Sequence, residues 1–116
     1  MRHILCLLAA NALMASMPAQ AHHGWSEYDS NQVLTLTGKI SESGYEHPHG
    51  HIKLTVPGKV WVVTLAPPSR MENRGLTKEA LSVGKEATVV GYPNRGNPNE
   101  MRAERITVDG KTVELR

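Results

Sequence analysis

Five of the chain's six histidines lie between positions 22 and 51, in two groups: His22-His23 and His47-Pro48-His49-Gly50-His51. Imidazole nitrogens suit copper(II), nickel(II) and zinc(II). The first group follows an apolar stretch over residues 4–17, a basic Arg2 and the small-x-small triplet Ala19-Gln20-Ala21. That order reads as a secretory signal cleaved after Ala21. Cleavage would make His22 the new amino terminus, so that its amine and ring nitrogen form one chelate and the ring of His23 adds a further donor. A free α-amine titrates near pH ~7.7 and an imidazole near ~6.5, and both bind metal only when deprotonated.

The second group precedes a strand-like segment. Along extended chain, alternate residues share a face with Cα atoms about 6.5–7 Å apart. His47, His49 and His51 are therefore expected as neighbours, two of which can converge on one ion. Pro48 favours extended backbone at His47, and Gly50 removes bulk between the last two rings. The plainer account of the same residues is a solvated terminus and a solvated turn that hold nothing.

Other residue types narrow the chemistry. The single cysteine, Cys6, falls inside the signal, so the mature chain is expected to lack disulfides and thiolate sites. Met71 and Met101 are soft donors for copper(I), with core packing as the stronger expectation. Glu27 and Asp29 lie near the first histidines and can orient an imidazole. Trp25 is expected to anchor the arm, while Trp25, Tyr45 and Tyr92 are candidate ligand contacts. Trp61 alternates with apolar neighbours and reads as core. Net charge is +2, with no basic run and no phenylalanine, which argues against an electrostatic nucleic-acid surface. Arg70, Arg74, Arg95, Arg102 and Arg105 are candidate anion contacts, but carboxylates are interspersed among most of them, so solvated ion pairs are the expectation. Neither a Gly-x-Ser-x-Gly elbow nor a phosphate-cradling glycine loop is present, and no catalytic residue is assigned.

These side chains need a scaffold. Residues 33–40, 52–56, 60–65, 87–92, 102–108 and 112–115 read as strands, with Gly38 marking a bulge or bend. Pro57-Gly58 and Asp109-Gly110 are turn signals. Ser69 and Glu72 fit a capping box for a short helix, which Gly75 would end. The chain thus divides into a signal (1–21), an extended arm (22–32) and one domain (33–116). The fold class is mainly β: a small five- to six-stranded OB-like barrel with one short helical segment after the third strand.

Ala21-His22-His23, Leu36-Thr37-Gly38, Pro48-His49, Arg74-Gly75, Leu81, Gly84 and Gly91-Tyr92-Pro93 resemble an uncharacterised family of short exported bacterial proteins, known only as a domain of unknown function. Its middle motif usually runs Asn-Pro-His-x-aromatic-Ile. Here His49 matches the histidine, while His47 and His51 stand where asparagine and the aromatic would. The resemblance implies an OB-like barrel and no activity.

The expected function is periplasmic or secreted metal binding, with copper as the cofactor, for buffering, delivery or tolerance. The ligands would be His22, His23 and His49, with His47 or His51 as alternates. A metal-free OB-fold ligand-binding module of the cell envelope is the alternative, and a copper oxidase a third. The expected partner is a metal ion or small envelope ligand, without nucleic acid and without stable membrane insertion after processing.

Overall fold

The computed structural model describes residues 24–116. The signal, Cys6, His22 and His23 lie outside the described residues. A 3-10 turn at Trp25–Glu27 leads into six strands and one α-helix. The strands are β1 (Leu34–Gly44), β2 (His51–Val56), β3 (Lys59–Thr64), β4 (Glu86–Pro93), β5 (Glu100–Val108) and β6 (Lys111–Glu114), and helix α1 (Pro68–Asn73) follows β3.

The sheet order is β3-β2-β1-β4-β5-β6, and a parallel β3–β5 pairing closes the first five strands into a barrel. β1 makes closure possible because it is long enough to change partners. Its first half pairs with β4, from Leu34↔Gly91 to Lys39↔Glu86. Its second half pairs with β2, from Lys39↔Thr55 to Gly44↔His51. The expected irregularity in β1 is a bulge, but it falls between Ile40 and Glu42. At Gly38 the Thr55 carbonyl comes so close that a β-carbon would overlap it. The glycine therefore permits close backbone approach, and the bulge bends the strand.

Alternation along the strands fills the barrel. Ile40, Ile52, Leu54, Val63, Val89, Met101 and Ile106 are fully buried. Trp61 is half-buried against this core, with the Lys59 ammonium 3.7 Å from its ring centre. Asp109 and Gly110 both adopt positive φ (52° and 74°), the backbone a two-residue hairpin requires.

Helix α1 differs from expectation at its start. Pro67, not Ser69, occupies the N-cap, and no side chain caps the turn. Pro68 as the first helical residue has no N–H to satisfy, so a capping box is unnecessary there. The C-terminus follows expectation. Gly75 (φ 84°) donates to Glu72 O and Leu76 to Met71 O, a Schellman arrangement with Leu76 buried beneath it. Among the described residues no helix is long and apolar enough to cross a membrane.

Candidate functional site

A cleft of about 320 Å³ opens where the β2 entry, β3, β5 and the arm meet. The entry contributes Pro48, His49, Gly50 and His51; β3 contributes Val62 and Thr64; β5 contributes Glu100 and Arg102; the arm contributes Tyr28. Gly50 fixes the entry by pairing in both directions: its N–H donates to Ala66 O, and its carbonyl accepts from Leu65 N, each at 2.9 Å. A β-carbon at Gly50 would strike the buried Met71 side chain. His49 is thereby held half-buried at the cleft.

The three neighbouring histidines do not form one cluster. His47 is exposed and joined to Pro48 by a cis peptide bond. His51 packs its ring against Gly44 and brings Nε2 to 3.5 Å from Glu42 Oε2. The chain bends at residues 47 and 48 and enters β2 only at His51, so the straight extended geometry expected over 47–51 is not formed. Among the described residues, no group of three or more His, Cys, Asp or Glu side chains is placed to hold a metal. His22 and His23 lie outside them.

The arm over residues 24–32 is tied down rather than simply extended. After its 3-10 turn, Tyr28 bridges to Asn94, and Asp29 N–H donates to Pro93 O at 2.9 Å. Arg95 N–H returns a bond to Glu27 O at 2.8 Å. Trp25 packs edge-on to Tyr28 and Tyr92, at 6.4 and 6.1 Å between ring centres. The guanidinium of Arg102 lies 4.1 Å from the centre of the same indole, and that of Arg116 lies 4.4 Å from it. Both contacts are cation–π interactions.

Glu100 joins the arm to the barrel. Its Oε1 accepts from the Tyr28 hydroxyl at 2.5 Å and from Thr64 Oγ1 at 3.0 Å, and its Oε2 accepts from Asn94 Nδ2 at 2.9 Å. Burial, and then the Glu100 hydrogen bond and charge, push the Tyr28 phenol up to about 12. It therefore stays protonated and donating across the physiological range.

Arg102 is not the solvated ion-pairing residue that charge interspersion implied. It is 6% exposed. Burial holds its pKa below the usual arginine value, with Arg70 and Arg116 pushing the same way, while Tyr28 and Glu100 oppose them. The other named arginines do meet acidic or carbonyl oxygens at the surface, as in Arg105–Glu114 (2.9 Å) and Arg95–Asp29 (3.9 Å).

The candidate ligand contacts divide. Trp25 and Tyr92 adjoin each other beside Arg102, and Tyr92 donates to Glu104 Oε1 at 3.1 Å. Tyr45 stands apart in a shallow hollow with Lys78 and Ser82, and donates to Leu76 O at 2.6 Å. Met71 and Met101 are both fully buried in the core. Glu100 escaped the sequence reading as a site residue, and Arg102 entered it only as one of five arginines open to an anion contact. Their i, i+2 spacing on one strand, opposite a polar Thr64, was the available signal.

A family model described as "Family of unknown function (DUF6152)" matches residues 10–102. The chain belongs to this family. Its barrel is OB-like, with β-strands one to five in the OB order and β6 added beyond. No curated protein matches the sequence. Among solved structures, a chain in the crystal structure of a complex of TiaS with an isoleucine tRNA and ATP is similar at 17% identity and a TM-score of 0.51. The match covers 77% of this chain and 20% of that one, so this chain spans about a fifth of the larger protein. The likeness is one of fold.

Proposed function

We propose that this chain is an exported, periplasmic copper-binding protein that buffers, delivers or detoxifies the metal. In this reading, processing after Ala21 frees His22 and His23 as an amine–imidazole chelate, and His49 supplies the remote nitrogen, with His51 or His47 as alternates. The supporting observation is that Trp25, two residues after His23, packs on Arg102, and Arg102 lines the same cleft as His49. The chain that leads back from Trp25 towards His23 therefore departs from a residue packed on the cleft's own wall. Nitrogen donors of this kind favour copper(II) over the other divalent ions.

The test is titration of copper(II) into the processed protein and into a form carrying one extra residue before His22. Blocking the terminal chelate is expected to weaken binding at least tenfold. Equal affinities would remove the terminus from the site.

A second reading, a metal-free ligand module, draws on the polar lining of the cleft by Thr64, Glu100 and Arg102. It requires a ligand whose binding is indifferent to chelators.

A further inference from the structure

The hairpin that ends the sheet carries a reactive dipeptide. Asp109-Gly110 alone joins β5 to β6, because Val108 and Lys111 already pair with each other. Both loop residues hold positive φ, at 52° and 74°. Glycine adopts that conformation freely, whereas Asp109 holds it against its own β-carbon. In a two-residue loop the Gly110 N–H is not a rung of the ladder, and the space beside Gly110 is open. The nitrogen is thus neither bonded into the sheet nor screened by a side chain. The Asp109 side chain is 63% exposed, and its Oδ2 is ion-paired with Lys85, the residue before β4. That pair closes a hollow on the outer face of the barrel, floored by Thr88 and Thr107.

We propose that Asp109-Gly110 is a site of spontaneous isoaspartate formation, and that Lys85 holds the reaction in check. The Gly110 nitrogen bonds to Asp109 Cγ and gives up its proton, while one carboxyl oxygen leaves as water. The product is a five-membered succinimide. Water then adds at the former main-chain carbonyl of Asp109, the bond from that carbon to the Gly110 nitrogen breaks, and the chain continues through the Asp109 β-carbon. One water leaves and one returns, and nothing is oxidised or reduced. Lys85 opposes the first step because it holds Oδ2 on its ammonium, and an exposed pair of this kind is easily removed by mutation. Isoaspartate lengthens the loop by one main-chain carbon. A type I′ loop has no place for it, and a slip of β6 along β5 would turn the buried Val113 towards solvent. β6 leads on to Arg116, which stands over Trp25, and Trp25 packs on Arg102 in the cleft wall. Change at the hairpin therefore reaches the cleft, whatever the cleft holds.

The experiment incubates the processed protein and its Lys85→Ala variant side by side in warm neutral buffer made with heavy-oxygen water, after melting curves show both to be folded. Lys85→Gln, which keeps the length and loses the charge, takes over if the alanine variant does not fold. Trypsin then releases residues 106–111 as one peptide. Its isoaspartyl form separates by chromatography, is recognised by an isoaspartate-specific methyltransferase and should carry one heavy oxygen, the mark of succinimide hydrolysis. Loss of the ion pair is expected to raise the isoaspartate yield at least threefold. Asp109→Glu keeps the charge but sets the carboxyl one carbon too far for the five-membered ring, and should abolish the product. Isoaspartyl protein purified from the variant is expected to melt lower and to shift in tryptophan emission. No isoaspartate in either protein would overturn the site, and equal yields in both would overturn the guarding role of Lys85. An isoaspartyl form with unchanged melting and emission would overturn the link from the hairpin to the cleft.

Discussion

The Tyr28 hydroxyl donates to Glu100 Oε1 at 2.5 Å, across 72 positions of sequence. This bond fastens the arm to β5, one of the two strands whose parallel pairing closes the barrel. Glu100 sits at the start of that pairing, opposite Val62. One carboxylate thus ties the closure of the fold to the position of the segment that leads towards His23.

Alkali should release this tie. The phenol's folded-state pKa, about 12, lies above the ordinary value of about 10. A raised pKa means that the stabilisation is whole below pH ~10 and is lost as pH climbs towards ~12. Because burial is the larger cause, the roughly 2–3 kcal/mol that the shift represents is the cost of ionising the phenol within the fold rather than the worth of the bond. In a spectrophotometric titration one of the three tyrosines should ionise last. Tyr28→Phe should abolish that late step, lower stability by about 1–2 kcal/mol and change the emission of Trp25. A Tyr28→Phe protein with unchanged urea midpoint and unchanged emission would show that the bond contributes nothing.

Glycine substitutions should separate close approach from turn geometry. A β-carbon at Gly91 would overlap the Arg102 carbonyl oxygen, at the register shift where β4 crosses β5. Gly58 has φ 77° but open space around it. Gly91→Ala must move backbone and is expected to cost more than about 3 kcal/mol or prevent folding. Gly58→Ala should cost about 1 kcal/mol, since only the turn conformation is strained. Thermal melts of the two variants give the comparison, and similar losses at both positions would contradict it.

The barrel was legible because its signals are local. Alternation at Ile52 and Leu54, the Asp109-Gly110 turn and the glycine after α1 each follow from neighbouring residues. The capping box at Ser69 failed because Pro67 and Pro68 set the helix start by backbone constraint alone. The site was harder to read for a different reason. Arg102 looks like any surface arginine until the arm folds back and lays Trp25 over it, and Glu100 acquires its three donors from the arm, β3 and the β4–β5 loop. Histidine identity pointed to His47, His49 and His51 alike and the family resemblance to His49, but only the pairing of Gly50 with residues 65–66 distinguishes its placement from that of His47.

Methionine should prove irrelevant to metal binding. Met71 and Met101 are fully buried among aliphatic side chains. Met71→Ala should cost about 2–5 kcal/mol by opening a cavity. Copper affinity of the protein that remains folded should stay within a factor of two or three of wild type. A tenfold loss, measured below the melting transition, would bring the thioether into the site.

The three histidines of the entry segment should separate sharply as copper ligands. His49 is half-buried and lines the cleft, held by the two-way pairing of Gly50. His47 is exposed, and His51 leans on Gly44 towards Glu42. On the proposed ligand set, His49→Ala should weaken copper(II) binding to the processed protein at least tenfold, which is about 1.4 kcal/mol or more. His47→Ala should stay within threefold. His51→Ala should fall between, since His51 also borders the cleft but already faces a carboxylate. Binding in the wild type should weaken as pH falls through the range in which an amine and imidazoles take up protons, and His49→Ala should make that dependence shallower because one fewer proton competes. Isothermal titration at several pH values reads both effects. Equal losses for His47→Ala and His49→Ala would mean that the ion sits in the solvated loop, and the cleft would then lose its claim to the metal.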